Sequence, residues 1–174
     1  MRKKLILKHA VGASVLLAGC LVSGVVLNKM SANPLSMAYA PPDVRLDQAV
    51  KAMGQGSSLP TQGEGDVSLS EMEKISTNRG ALIVDARPEV FYRFGHIPAA
   101  VSLPRDDFEK SYRMMAPLLQ GHRDQVLVIY CASSDCQDSQ MVADALGRMG
   151  YPHVRLFRGG WSDWQSENLP EEKQ

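Results

Sequence analysis

A chain of 174 residues is long enough for one domain of ordinary size plus a short appendage, and 19 basic residues against 19 acidic ones leave no net field to gather nucleic acid. An aromatic content of 6% offers no stacking platform for bases, and three cysteines are too few to build a disulfide scaffold.

The N-terminus reads MRKKLILKHAVGASVLLAGCLVSGVVLNKMS. Arg2, Lys3, Lys4 and Lys8 form a positive cluster, and residues 10–27 are an uncharged apolar run of 18 residues. That is just enough to cross a hydrocarbon core of about 30 Å as a helix. The positive flank would stay in the cytoplasm and the rest of the chain would be exported, to the periplasm or another extracytoplasmic side. A rival reading starts from LLAGC, which resembles the lipobox of bacterial lipoproteins, with cleavage before a lipidated Cys20. Residues 1–30 are therefore assigned to a signal anchor or a lipoprotein signal. Residues 31–66 are poor in large apolar side chains and rich in Gly, Pro and Ser, and are expected to be a flexible linker with about one helical turn near 44–53.

From residue 67 to 174 two kinds of pattern alternate. ALIVDA at 81–86, VLVIYC at 126–131 and VRLF at 154–157 are short β-branched runs of the kind that form strands buried on both faces. Residues 70–78, 88–94, 106–119, 139–149 and 161–168 have helical patterning. In the fourth of these, Met141, Val142, Ala145, Leu146 and Met149 form one apolar face, and Gly150 follows where the helix should stop. Alternating strands and helices predict an α/β fold, a parallel β-sheet flanked by helices on both faces. Sites in such sheets lie beyond the C-terminal strand ends, where Asp85 and Cys131 both fall.

These residues carry a family resemblance. ALIVDARPEVFYRFGHIPAAVSLP, a cysteine closing a later strand, and GYPHVRLFRGGWSDWQSENLP together resemble a rhodanese-type domain. The resemblance runs over about residues 67–170: Asp85 and Arg87 after the first long strand, Gly95-His96-Ile97-Pro98, Cys131 at a strand-to-loop junction, and Gly159-Gly160-Trp161 before the last helix. It implies a sulfurtransferase. Cys131 would accept a sulfane sulfur from a small donor, become a persulfide, and pass the sulfur to a thiol or other thiophilic acceptor. No cofactor is implied.

The chemistry asks for a thiolate that a donor can reach and for inward-turned N–H groups around the anionic sulfur. The loop of Ala132, Ser133, Ser134, Asp135, Cys136 and Gln137, ahead of a helix N-terminus, is the candidate cradle, with Asp85 and Arg87 in support. This loop departs from the family pattern, since Ala132 stands where a basic residue commonly follows the cysteine, and Asp135 and Asp138 add negative charge. Thiosulfate, a dianion, is therefore an unfavourable donor. Gln137 occupies the place where phosphatases of the same fold need a phosphate-clamping arginine, which argues against phosphatase activity.

Cys136 has three open readings: a resolving thiol that pairs with Cys131, a second sulfur relay, or a small buried residue without chemistry. Metal binding is not expected, because His96, His122 and His153 are scattered along the chain. His96 is read as a structural histidine holding its turn, and Trp161 and Trp164 as residues packing on the sheet. Two rivals to sulfur transfer stay open: a thiol-disulfide redox protein using Cys131 and Cys136, and a non-catalytic binding module that kept the fold.

Overall fold

The computed structural model describes residues 19–20, 22–31, 41–53 and 65–174. The chain divides into two units, Met1–Tyr39 and Ala40–Gln174. In the first unit residues 22–30 are helical. No helix among the described residues is long and apolar enough to cross a membrane, and much of the run expected to span one, 10–18 and 21, lies outside them.

The second unit opens with α1 (Pro42–Ala52), and this corrects the expected linker. A proline-containing first turn suits a helix start, where the missing N–H has no intrahelical partner to lose. Leu46, Ala49 and Val50 then fall at i, i+3 and i+4 on one face, and all three are buried. Leu46 and Val50 belong to the same apolar cluster as the sheet. Arg148 adds a 2.8 Å ion pair to Asp47. The stretch that looked like a 36-residue tether by composition, residues 31–66, thus contains an 11-residue helix docked on the domain.

The remaining elements are α2 (Leu69–Asn78), β1 (Leu82–Asp85), α3 (Glu89–Phe94), β2 (Ala100–Ser102), α4 (Phe108–Gly121), β3 (Leu127–Tyr130), α5 (Asp138–Arg148), β4 (Val154–Phe157) and α6 (Gly160–Ser166). The start of α2 shows how the sequence sets a boundary: the Ser68 hydroxyl accepts a hydrogen bond from the Glu71 amide, as expected of Ser and Glu three apart. Its end is set by Arg79 in the left-handed region at φ 53°.

All strand pairs are parallel, in the order β2-β1-β3-β4. Register places Val84 beside Ile129 and Asp85 beside Tyr130. Because successive side chains on a strand point to opposite faces, each strand feeds two apolar layers. Leu82, Val84, Leu127 and Ile129 pack with α1, α4 and α5, for example on Leu46, Tyr112 and Leu146. Ile83, Val128 and Tyr130 pack with α2, α3 and α6 through Met72, Tyr92 and Trp164. Helices therefore cover both faces, as the alternating pattern predicts. The three-residue strand β2 is an addition to the three strands expected.

Candidate functional site

Cys131 directly follows β3, so the sheet itself delivers its sulfur to the C-terminal edge. The residue is 3% exposed and lines a cavity of about 500 Å³ whose walls include Arg87, Phe91, Phe94, Cys136 and Trp161. Phe91 and Phe94 are exposed, so the mouth is apolar and aromatic.

The loop after Cys131 is held from below by the start of α6. The Trp161 amide donates to the Cys131 carbonyl at 2.9 Å, and the Ser162 amide donates to the Ala132 carbonyl at 2.8 Å. This approach requires a glycine at 160. Its φ is +62°, and a Cβ there would sit 2.5 Å from the Cys131 carbonyl oxygen. The motif that carried the resemblance at 159–161 is thus a backbone-to-backbone contact under the cysteine.

Within the loop the Cys136 amide donates to the Ser133 carbonyl at 3.1 Å, closing a turn. That turn brings Cys136 back to Cys131, and the two form a disulfide with Cα atoms 6.1 Å apart. Of the expected cradle, Ala132 and Cys136 line the cavity, whereas Ser133, Ser134, Asp135 and Gln137 are not among its walls. The Cys136 amide, spent on Ser133, is not available to an anionic sulfur.

Charge around the loop also differs from expectation. Asp135 is exposed and does not line the cavity. Asp138 does line it, and its carboxylate receives a 2.7 Å ion pair from Arg105, which follows β2. Burial pushes the Asp138 carboxyl above its ordinary range; Arg105 pulls it back and Asp106 adds to the rise. Arg105, which stands beyond the end of β2 and is not among the cavity walls, balances the Asp138 charge and also pairs with Asp106 at 3.1 Å.

Beneath the cavity Asp85 and Arg87 form a buried network. Arg87 donates from Nε and Nη2 to the two Asp85 oxygens at 3.0 and 2.6 Å, and from Nη2 to the Gly95 carbonyl at 2.7 Å. Burial opposes the guanidinium charge, and the Asp85 hydrogen bonds and charge outweigh it, so the Arg87 pKa is raised. Tyr130 donates its hydroxyl to Asp85 Oδ2 at 2.6 Å and accepts from the Ile97 amide at 3.2 Å. Burial first, and the Asp85 charge next, hold that phenol well above its ordinary pKa, which keeps it a donor. Asp85 does not cap α3, whose N-cap position is Pro88 and carries no side-chain capping bond.

The Arg87 guanidinium lies over the Trp161 ring, 4.6 Å from its centroid. Trp161 is consequently a wall of the cavity as well as a residue packed against the layer of Ile83, Val128 and Tyr130, in which Trp164, 1% exposed, is buried. His96 is structural: its Nδ1 donates to the Tyr92 carbonyl at 2.8 Å, and its ring stacks on Tyr92 at 3.8 Å.

Among the described residues, the one group of three or more Cys, His, Asp or Glu side chains with converging donor atoms is Cys131, Cys136 and Asp138, all within 4.8 Å of one another. With the two sulfurs bonded together, this is a disulfide with a carboxylate beside it. Reduction would release two thiols at the cavity wall. Sequence reasoning missed Arg105, Tyr130 and the two phenylalanines of the mouth. Only Tyr130 had a local signal, as the neighbour of Cys131 pointing to the opposite face of the strand.

Comparison with known proteins agrees with this architecture. Residues 68–167 match the family model described as a rhodanese-like domain. An uncharacterized protein of Escherichia coli K12, YibN, is 27% identical over 105 residues, covering 60% of this chain and 69% of that one. The 3-mercaptopyruvate sulfurtransferase of the same organism is 25% identical over 151 residues, which is 75% of this chain and 53% of the enzyme. Among solved structures, the BH2092 protein from Bacillus halodurans superposes with a TM-score of 0.55 at 20% identity, covering 76% of this chain and 87% of that one. A cysteine at the end of a central parallel strand, a glycine-backed loop and a match across 68–167 lead to one conclusion: the chain belongs to the rhodanese-like domain family.

Proposed function

We propose that this protein is a sulfurtransferase that carries sulfane sulfur on Cys131, taken from a small donor and passed to a thiol. The observation that carries the reading is the position of Cys131, at the end of β3 and at the wall of an aromatic-mouthed cavity. The relationship to 3-mercaptopyruvate sulfurtransferase supports the reaction class. The cations on the cavity wall are already paired, Arg87 with Asp85 and Lys173 with Glu171. That pairing favours a donor of low charge and an apolar body over the thiosulfate dianion. The test removes the neighbouring thiol: reduced Cys136→Ser, treated with a sulfane donor and then cyanide, releases thiocyanate, and the double variant Cys131→Ser with Cys136→Ser does not. Equal thiocyanate from the two overturns the assignment.

A second reading has its own observation, the Cys131–Cys136 disulfide, which favours thiol-disulfide exchange at the same site. A redox protein would cycle between dithiol and disulfide without acquiring sulfur. The positive cluster and apolar run of the N-terminus support a membrane-tethered, exported location. Membrane fractionation of the full chain and of Cys20→Ser tests it; release of the variant alone would point to lipidation in place of a spanning helix.

A further inference from the structure

We propose that Cys136 is a built-in resolving thiol, so that a sulfur loaded on Cys131 is discharged as sulfide within the same chain. This rests on the sulfurtransferase reading and names its acceptor. The sulfur–sulfur bond between the two cysteines is the bond that such a step would leave behind.

The arrangement suits the step in three respects. The turn closed by the Cys136 amide on the Ser133 carbonyl returns Cys136 to the sulfur of Cys131, so attack is intramolecular. Both cysteines line one cavity, with Cys131 buried and Cys136 half-buried. The Asp138 carboxylate lies within 4.8 Å of both sulfurs and is fixed by Arg105, where it can take the proton of the attacking thiol.

The step balances as follows. The Cys136 thiol gives its proton to Asp138 and its sulfur attacks Sγ of the Cys131 persulfide. The bond between Sγ and the outer sulfur breaks, and the outer sulfur leaves with the electron pair as hydrosulfide. The outer sulfur is reduced to the sulfide level and the Cys136 sulfur is oxidised to the disulfide level, while the Cys131 sulfur, oxidised when it was loaded, keeps its oxidation state. Return to the dithiol needs an external dithiol reductant, which becomes a disulfide in turn. Such a protein would turn a sulfane donor and a dithiol into sulfide, with the loop disulfide as its resting oxidised state.

The test is a single turnover on the reduced full chain, without air or free reductant, using an aromatic thiosulfonate as donor. Transfer from that donor leaves a sulfinate behind, so any sulfide comes from the second step. The wild type is expected to release one sulfide per chain and to finish, by intact mass, two hydrogens lighter than the reduced form. Cys136→Ser is expected to retain one extra sulfur on Cys131 and to release sulfide at least about a hundredfold more slowly, since the intramolecular nucleophile is gone. Cys136→Ala, which adds no hydroxyl, should behave the same. If the wild type and Cys136→Ser both hold the extra sulfur without releasing it, the resolving role is wrong and the sulfurtransferase reading stands. If neither protein gains sulfur, both fall.

Discussion

Replacing Gly160 with alanine tests the contact under the active loop. The new Cβ would lie 2.5 Å from the Cys131 carbonyl oxygen and 3.1 Å from both the Ala132 carbonyl carbon and the Ser133 nitrogen. All three are backbone atoms, so no side-chain rotation relieves the clash, and either the loop or the start of α6 must move. Placing a non-glycine residue at φ +62° costs about 1–2 kcal/mol, and forcing an extra carbon into a packed site about 1–3 kcal/mol more. The combined loss is about 2–5 kcal/mol, and it comes with rupture of the bonds from Trp161 and Ser162 to the loop carbonyls. The assay is urea unfolding of wild type and variant, paired with the rate of sulfur loading on Cys131. Gly121→Ala is the control, because nothing lies within 4 Å of its added Cβ. Helix propensity there should make alanine neutral to stabilising, by up to about 1 kcal/mol. If Gly160→Ala unfolds at the wild-type urea concentration and loads sulfur at the wild-type rate, the contact does not hold the loop.

Three other outcomes are expected. Leu46→Ala should lower unfolding free energy by about 2–5 kcal/mol in the same urea assay, because α1 is part of the core; no change would return that stretch to a tether. Asp85→Asn should cost about 3–5 kcal/mol by leaving the Arg87 guanidinium buried beside a neutral amide, and a melting curve unchanged by the substitution would show that the pair is not needed. Asp138 has a raised pKa in the folded state, so the folded form holds its proton to higher pH than the unfolded chain does. Its contribution is full below the unfolded aspartate pKa and is lost as pH rises through the folded value. Asp138→Asn should therefore remove a decline in stability over that acidic window, seen by comparing urea midpoints of the two proteins across it.

Much of the fold could be read from the sequence because β1, β3 and β4 are runs of buried β-branched and aliphatic residues, a pattern that two-faced burial imposes. Strand β2 was not legible: Ala100–Ser102 is too short for a run, and it becomes a strand by pairing with β1. The helix α1 was misread because proline, glycine and serine around it outweighed three apolar residues in the average, although their i, i+3, i+4 spacing was visible. At the site, Cys131, Asp85 and Arg87 could be placed because each stands at or just after a strand end. Arg105 could not, since its pairing with Asp138 joins two loops that meet only through the order of strands in the sheet. Asp135 and Asp138, three apart in sequence, were given one role; the turn closing at Cys136 separates them, leaving one in solvent and one at the cavity.

The short antiparallel bridge between His96 and Glu172, with amide-to-carbonyl distances of 2.9 Å in both directions, sews residues 171–174 to the turn that also receives Tyr130. Glu171 and Lys173 on this strip are walls of the cavity. A fragment trimmed to the family match at 68–167 would discard the strip together with α1, leaving the sheet short of one covering helix and the cavity open along one side. Boundaries drawn from kinship and boundaries drawn from folding do not coincide in this protein, and measurements on a fragment cut by the former would report the properties of an incomplete vessel.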